Sequence, residues 1–223
     1  MMPDQPPRIH VCDDWINVTL PDRESILSAQ ASFAAHRQWT EIVPGMDSIA
    51  VRFDPALLCP DDAADRIGEQ LGGAANVPER QNRDITIPVC YEGEFAPDLA
   101  FVAGKLGIDA EALPGWHASR KQRVAMLGFM PGFAYLESPE PCSVIGRLAE
   151  PRQRIPAGSI GIIGQQSCIY SFDSPGGWPI IGRTPRSLFD AALQPPALLF
   201  AGQTVRFEPI SRTMFDEWTP AAR

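Results

Sequence analysis

Residues Trp15 to Leu20 alternate apolar and polar side chains, the period of a half-buried strand. Pro21-Asp22 opens a helix that runs to about Gln38, with Ile26, Leu27, Ala31, Phe33 and Ala34 as its apolar face. Ile42-Val43 and Ser48 to Phe53 read as two strands around Pro44-Gly45. Asp61 to Leu71 reads as a second helix, stopped by Gly72-Gly73. This β-α-β-β-α order predicts a ferredoxin-like α/β sandwich over roughly residues 9–80, behind a polar, Pro-rich, mobile tail at 1–9. The first domain is placed at residues 1–80.

The pattern then changes. Ala74 to Asp84 is polar and reads as a linker or crossover, and Ile85 to Tyr91 returns as a strand. A helix is expected from Pro97 to Leu106. A second starts near Asp109, an N-cap candidate, and runs through Trp116 and His117, with Pro114-Gly115 as a potential break. Strands follow at Arg123–Leu127, Ser159–Ile163, Ser167–Tyr170, Ile180–Arg183, Ala197–Phe200 and Thr204–Pro209, the last two flanking a hairpin turn at Ala201-Gly202-Gln203. A second domain over residues 81–223 is expected, a closed antiparallel barrel with two inserted helices.

Composition points to many turns, and so to short strands more than long helices. The 18 Gly and 23 Pro among 223 residues exceed the average share of about 12%, and no repeat explains them. The net charge of −8 comes without any Lys/Arg run, which argues against a nucleic-acid binder. No apolar run approaches the length of a membrane span, and Met1 to Arg8 lacks the apolar segment of a signal peptide. Five Cys, none in a C-x-x-C arrangement, read as reduced and mostly buried thiols of a cytoplasmic protein.

No Walker A, G-x-S-x-G or H-E-x-x-H sequence occurs, and three His support no metal site. Candidate chemistry gathers in Gly/Pro loops instead. Gly128-Phe129-Met130-Pro131-Gly132-Phe133-Ala134-Tyr135 sets three aromatics around one turn, either an apolar wall for a flat small molecule or a core plug. Ser174-Pro175-Gly176-Gly177-Trp178 offers two consecutive glycines whose N–H groups could cradle an anion. Arg152, Arg154 and Arg183 border these loops, and Arg suits a small carboxylate or phosphate. The bland alternative is surface ion pairs. His117, at a helix end beside Ser119, is the candidate proton carrier or a mere helix cap.

Taken together these loops resemble a family. His117, Gly128–Leu136, Pro151-Arg152, Pro156–Ser159, Ser174–Trp178 and Ile181–Pro185 match, in order, the pattern of the B subunit of ATP-dependent 5-oxoprolinase. Kip-type histidine-kinase inhibitors and proteins labelled allophanate hydrolase subunit 1 share that pattern. The resemblance implies an α+β protein, a small α/β domain followed by a cyclophilin-like antiparallel β-barrel. It implies ATP-driven opening of the 5-oxo-L-proline lactam to L-glutamate, with partner subunits of A and C type, and no activity for this chain alone. Departures occur at Glu92 and Ala96, where the family carries turn glycines, at Glu137 to Cys142, and at Ser171. Regulation of a sensor histidine kinase and a place in a urea or allophanate pathway are the alternatives. The site expected is His117, Arg183 and Arg152 as catalytic groups, converging in the barrel domain. Phe129, Pro131, Phe133, Tyr135, Ser159, Gly176, Gly177 and Trp178 are expected around the substrate, with no metal.

Overall fold

The computed structural model describes residues 7–72, 84–140 and 144–218. The chain divides into two compact units, Met1–Gln81 and Asn82–Arg223. The polar stretch read as a linker lies, apart from Asp84, outside the described residues.

The first unit contains strands β1 (Arg8–Cys12) and β2 (Trp15–Thr19), helix α1 (Arg23–His36), strands β3 (Glu41–Pro44) and β4 (Ser48–Arg52), and helix α2 (Pro60–Gly72). Its sheet runs β1-β2-β4-β3, antiparallel throughout. The expected β-α-β-β-α core is therefore present, with one strand more. Residues 8 and 9 do not belong to a tail, because β1 pairs with β2 from Arg8↔Thr19 to Cys12↔Trp15. Arg8–Cys12 is an edge strand with mostly exposed side chains, so no alternation marks it; its pairing comes from β2. Ile16, Val18, Ile49 and Val51 on the sheet close the core against Ile26 and Phe33 of α1 and Ala63 and Ile67 of α2. The Asp22 carboxylate starts α1 by accepting from the Ser25 N–H at 2.8 Å, a bond that lowers its pKa.

The second unit contains β5 (Ile85–Cys90), α3 (Leu99–Leu106), α4 (Leu113–Ser119), β6 (Gln122–Leu127), β7 (Ala134–Glu137), β8 (Arg152–Ile155), β9 (Ser159–Ile163), β10 (Gln166–Ile169), β11 (Ser174–Gly176), β12 (Ile180–Arg183), β13 (Thr204–Ile210) and α5 (Arg212–Asp216). Seven strands close a barrel in the order β10-β7-β6-β13-β5-β12-β9. Helices α3 and α4 are inserted between β5 and β6, as expected. The ladders are antiparallel except that between β13 and β5, which is parallel from Val205↔Ile85 to Ile210↔Cys90. Ala197–Phe200 is not a strand: only Ala197 forms a bridge, to Phe189. The turn before β13 therefore closes no hairpin, and β13 pairs with β5 and β6 instead. Strands β8 and β11, read from sequence as turns, form a separate two-stranded sheet.

Alternation sorts the barrel side chains into two faces. Val89, Val124, Leu136, Ile160, Ile162, Ile169, Ile181, Val205 and Phe207 fill the interior. On the outside, Phe133, Ile155, Cys168, Tyr170, Trp178 and Ile180 make a second apolar cluster. Each such residue fully removed from water contributes about 1.5–3 kcal/mol before entropy is counted. Of the described cysteines, Cys90 and Cys168 are buried and Cys12 and Cys59 exposed, all as free thiols. No helix among the described residues is long and apolar enough to cross a membrane.

Candidate functional site: an arginine cleft on the barrel wall

A bulge in β12 builds the site. The β12–β9 register shifts between Ile180 and Gly182. Ile180 belongs to the outer cluster and Ile181 to the interior. Gly182 also faces inward, since a Cβ there would lie 2.6 Å from Val89 Cγ1 and 3.2 Å from Tyr91 Cδ1. Two successive inward positions turn Arg183 outward, the way bulges commonly re-aim a side chain. Arg183 stands opposite Cys90 and Ser159 on the neighbouring strands.

Arg183 then points into a cleft of about 200 Å³ lined by Glu94, Phe95, Pro97, Arg152, Arg154, Ile155, Pro156, Ser159 and Ile180. Its Nε donates to the Ala157 carbonyl at 2.8 Å. Its guanidinium carbon lies 5.6 Å from the Phe95 ring centre and 6.0 Å from that of Phe215. No described carboxylate lies within ion-pair distance of it. The loop beneath is held by Gly158, at φ +81°, where a Cβ would meet the Thr184 carbonyl oxygen at 2.3 Å. Ser159, expected at the site, lines this cleft and is buried.

The other two arginines are committed. Arg152 makes a two-pronged pair with Asp98, at 2.8 and 2.7 Å. Asp98 is buried and also accepts the Ile180 N–H at 2.7 Å. Arg152 thus fastens β8 to the start of α3 and the bulge, and its fork is not open to a ligand. Arg154 pairs with Asp173 at 2.9 and 2.6 Å, with its side chain 77% exposed.

His117 does not join them. It is fully buried, with Nδ1 2.8 Å from Tyr91 Oη and Nε2 3.1 Å from both Ser167 Oγ and the Gln122 amide nitrogen. Its ring stacks on Phe207 at 4.5 Å. Both ring nitrogens are thus met inside the protein, Nδ1 by the Tyr91 hydroxyl and Nε2 by Ser167 and Gln122. Burial, helped by the nearby Arg120 charge, pushes its pKa down to about 3. His117 is a neutral member of a buried network inside the barrel, neither a cleft base nor a cap.

Nor do Gly176 and Gly177 form an open cradle. Gly176 pairs with Arg152 across β11–β8, and a Cβ there would sit 2.3 Å from Tyr170 Oη. Gly177 gives its carbonyl to the Leu148 N–H at 2.8 Å. Gly176 serves close packing, and Gly177 is buried with room for a Cβ at ordinary contact distance from Pro151. Trp178, Phe133 and Tyr135 pack in the outer cluster and do not line the cleft, and Phe129 and Pro131 are exposed outside it. Two residues that matter are not among the expected ones. Asp98 follows Pro97 just before α3, a readable helix-start signal; Phe95 has none, because only the fold carries it beneath Arg183. Among the described residues no cluster of three or more His, Cys, Asp or Glu is set to hold a metal.

The barrel with its appended α/β unit defines a class. The model of the carboxyltransferase domain, subdomain C and D, matches residues 12–199, and the chain belongs to that family. It is 38% identical to the B subunit of 5-oxoprolinase from Escherichia coli O157:H7 over 192 residues, 86% of this chain and 88% of the relative. It is also 38% identical to the B subunit of 5-oxoprolinase from Bacillus subtilis (strain 168) over 181 residues, 77% of this chain and 75% of that one. Among solved structures it resembles TTHA0988, with a TM-score of 0.75 and 29% identity. That match covers 89% of this chain but 40% of the other, so the chain spans less than half of that longer protein.

Proposed function

We propose that this chain is the B subunit of an ATP-dependent 5-oxoprolinase, which opens the lactam of 5-oxo-L-proline to L-glutamate together with A-type and C-type subunits. The observation that carries this reading is Arg183: it lines the cleft with its Nε anchored to backbone and no described carboxylate within ion-pair distance. A guanidinium so placed suits the carboxylate that 5-oxoproline and glutamate share. The cleft, at about 200 Å³, is smaller than the roughly 300–1,000 Å³ usual for drug-sized ligands, which fits a small acid. It does not fit a nucleoside triphosphate: two of its three arginines are already paired, and no phosphate-binding loop is present in the sequence. ATP is therefore assigned to the partners, and Arg183 to holding the substrate's carboxylate. The likeness to two named B subunits over most of this chain supports the assignment.

The test is co-expression with A-type and C-type subunits and an assay of ATP-dependent glutamate release from 5-oxoproline. Turnover by the assembly, with none from the chain alone, is expected. An assembled complex that leaves 5-oxoproline intact would overturn the reading.

A further inference from the structure

One part of the cleft wall is gripped by a helix that lies beyond the matched family segment. Glu94 and Phe95 line the cleft, within a short 3-10 turn at Gly93–Phe95. Helix α5, at Arg212–Asp216, packs Phe215 on Phe95 with ring centres 4.3 Å apart. The Arg212 guanidinium carbon lies 4.3 Å from the Phe95 ring centre. Arg212 Nη1 donates to Glu94 Oε1 at 3.0 Å, while its Nε donates to both Asp216 oxygens at 3.0 and 2.9 Å. The family match ends at residue 199, so Glu94 and Phe95 lie within the matched segment and the α5 residues that grip them lie beyond it.

Glu94 is the one carboxylate in the cleft lining, and it shares that lining with Arg183. A carboxylate released there would be an internal competitor for the guanidinium that a substrate acid needs. Resting on the assignment of Arg183 to substrate carboxylate, we propose that Arg212 is a positioning residue that holds Glu94 away from Arg183 and so keeps the cleft open to anions. Asp216 holds the other edge of the Arg212 fork, and the Phe95 ring beneath keeps it flat, so Arg212 cannot itself swing in as a ligand. Arg212 acts through Glu94 and touches no substrate. Both partners are partly solvated, with side chains 43% and 74% exposed, so the effect is a few-fold and not an on–off switch.

The experiment titrates the full chain with 5-oxo-L-proline and with L-glutamate. It follows the Arg183 Nε–H resonance in spectra of chain labelled with nitrogen-15, assigned through Arg183→Gln. Arg212→Ala is expected to weaken binding about fivefold. The double variant Arg212→Ala/Glu94→Gln is expected to return to within about twofold of the starting chain, because the competitor has lost its charge. Arg212→Gln provides a second single variant should the alanine form melt early. Unchanged affinity in both single variants overturns the inference. So does a double variant as weak as the single one, since Arg212 would then act through packing alone. If the starting chain binds neither acid, the carboxylate assignment of the cleft itself falls.

Discussion

One polar centre lies inside the barrel and another on its outer side. Inside, His117 is fully buried and every ring nitrogen meets Tyr91, Ser167 or Gln122. Outside, Arg183 is half-buried, tethered through Nε, and meets no described carboxylate. The inner centre carries the ionisable residue most often enlisted in catalysis, yet its hydrogen bonds are consumed and its charge is suppressed. The outer centre lines a cleft, and no described carboxylate lies within ion-pair distance of its guanidinium. What separates a structural polar group from a ligand-binding one here is what remains unpaired after folding.

The sharpest way to break this contrast is Arg183→Lys. An ammonium can reach either the Ala157 carbonyl or a ligand, but cannot hold both through a planar fork. In the assembled enzyme kcat/KM is expected to fall roughly 100-fold, the loss of about one charge-assisted hydrogen bond with its geometry. Thermal unfolding should barely shift. Wild-type turnover from an intact Arg183→Lys complex would remove Arg183 from the site.

The inner centre should reveal itself through pH. Unfolded, an imidazole takes its proton near 6.5; folded, His117 stays neutral down to about 3. Between those values the unfolded chain binds the extra proton, so stability falls as pH drops through that window and is fully restored above it. Each unit costs about 1.4 kcal/mol, or about 2 kcal/mol at pH 5 relative to pH 7. Urea unfolding at both pH values measures this, and His117→Gln should flatten the difference. Asp22 and Asp173 do not confuse the comparison of pH 5 with pH 7, because their pKa values are lowered from an ordinary 3.8 and their contribution is lost only at lower pH. Equal slopes for both proteins would mean that His117 is protonated in the folded state.

The elements are legible in the sequence and the faces only partly so. The strands expected at Ser159–Ile163 and Ile180–Arg183 have the same bounds in the structure, because apolar runs between Gly/Pro turns mark strands directly. Arg8–Cys12, Arg152–Ile155 and Ser174–Gly176 escape that reading, since each takes its pairing from a neighbour and shows no alternation of its own. At the site, Arg183, Arg152 and Ser159 are all expected from their loops, and the structure brings them to one cleft. Their division of labour is hidden from the sequence. Arg152 is spent on Asp98, 54 positions away, and Arg183 faces outward only because of a bulge that no local pattern announces. His117 and Gly176 mislead for one reason: both residue types suit catalysis and tight packing equally, and burial alone decides.

The smallest expected effect tests the contrast within the cleft. Arg154 lines the cleft and carries a full charge, so a count of positive groups would give it the same weight as Arg183. Its exposure and its pairing with Asp173 argue otherwise: solvated pairs contribute about 0–1 kcal/mol, and its charge is already answered. Asp173 has a second task, because its other oxygen accepts the Ala157 N–H at 2.8 Å, and that bond, with Arg154 second, lowers its pKa. Ala157 is the residue whose carbonyl holds Arg183. Asp173→Ala should therefore loosen the Arg183 tether and weaken 5-oxoproline binding about threefold, whereas Arg154→Ala should stay within about 1.5-fold of wild type and within ~0.5 kcal/mol in stability. Calorimetric titration of both variants settles the order. A larger loss from Arg154→Ala would mean that summed charge, and not the unpaired and anchored guanidinium, draws the acid into the cleft.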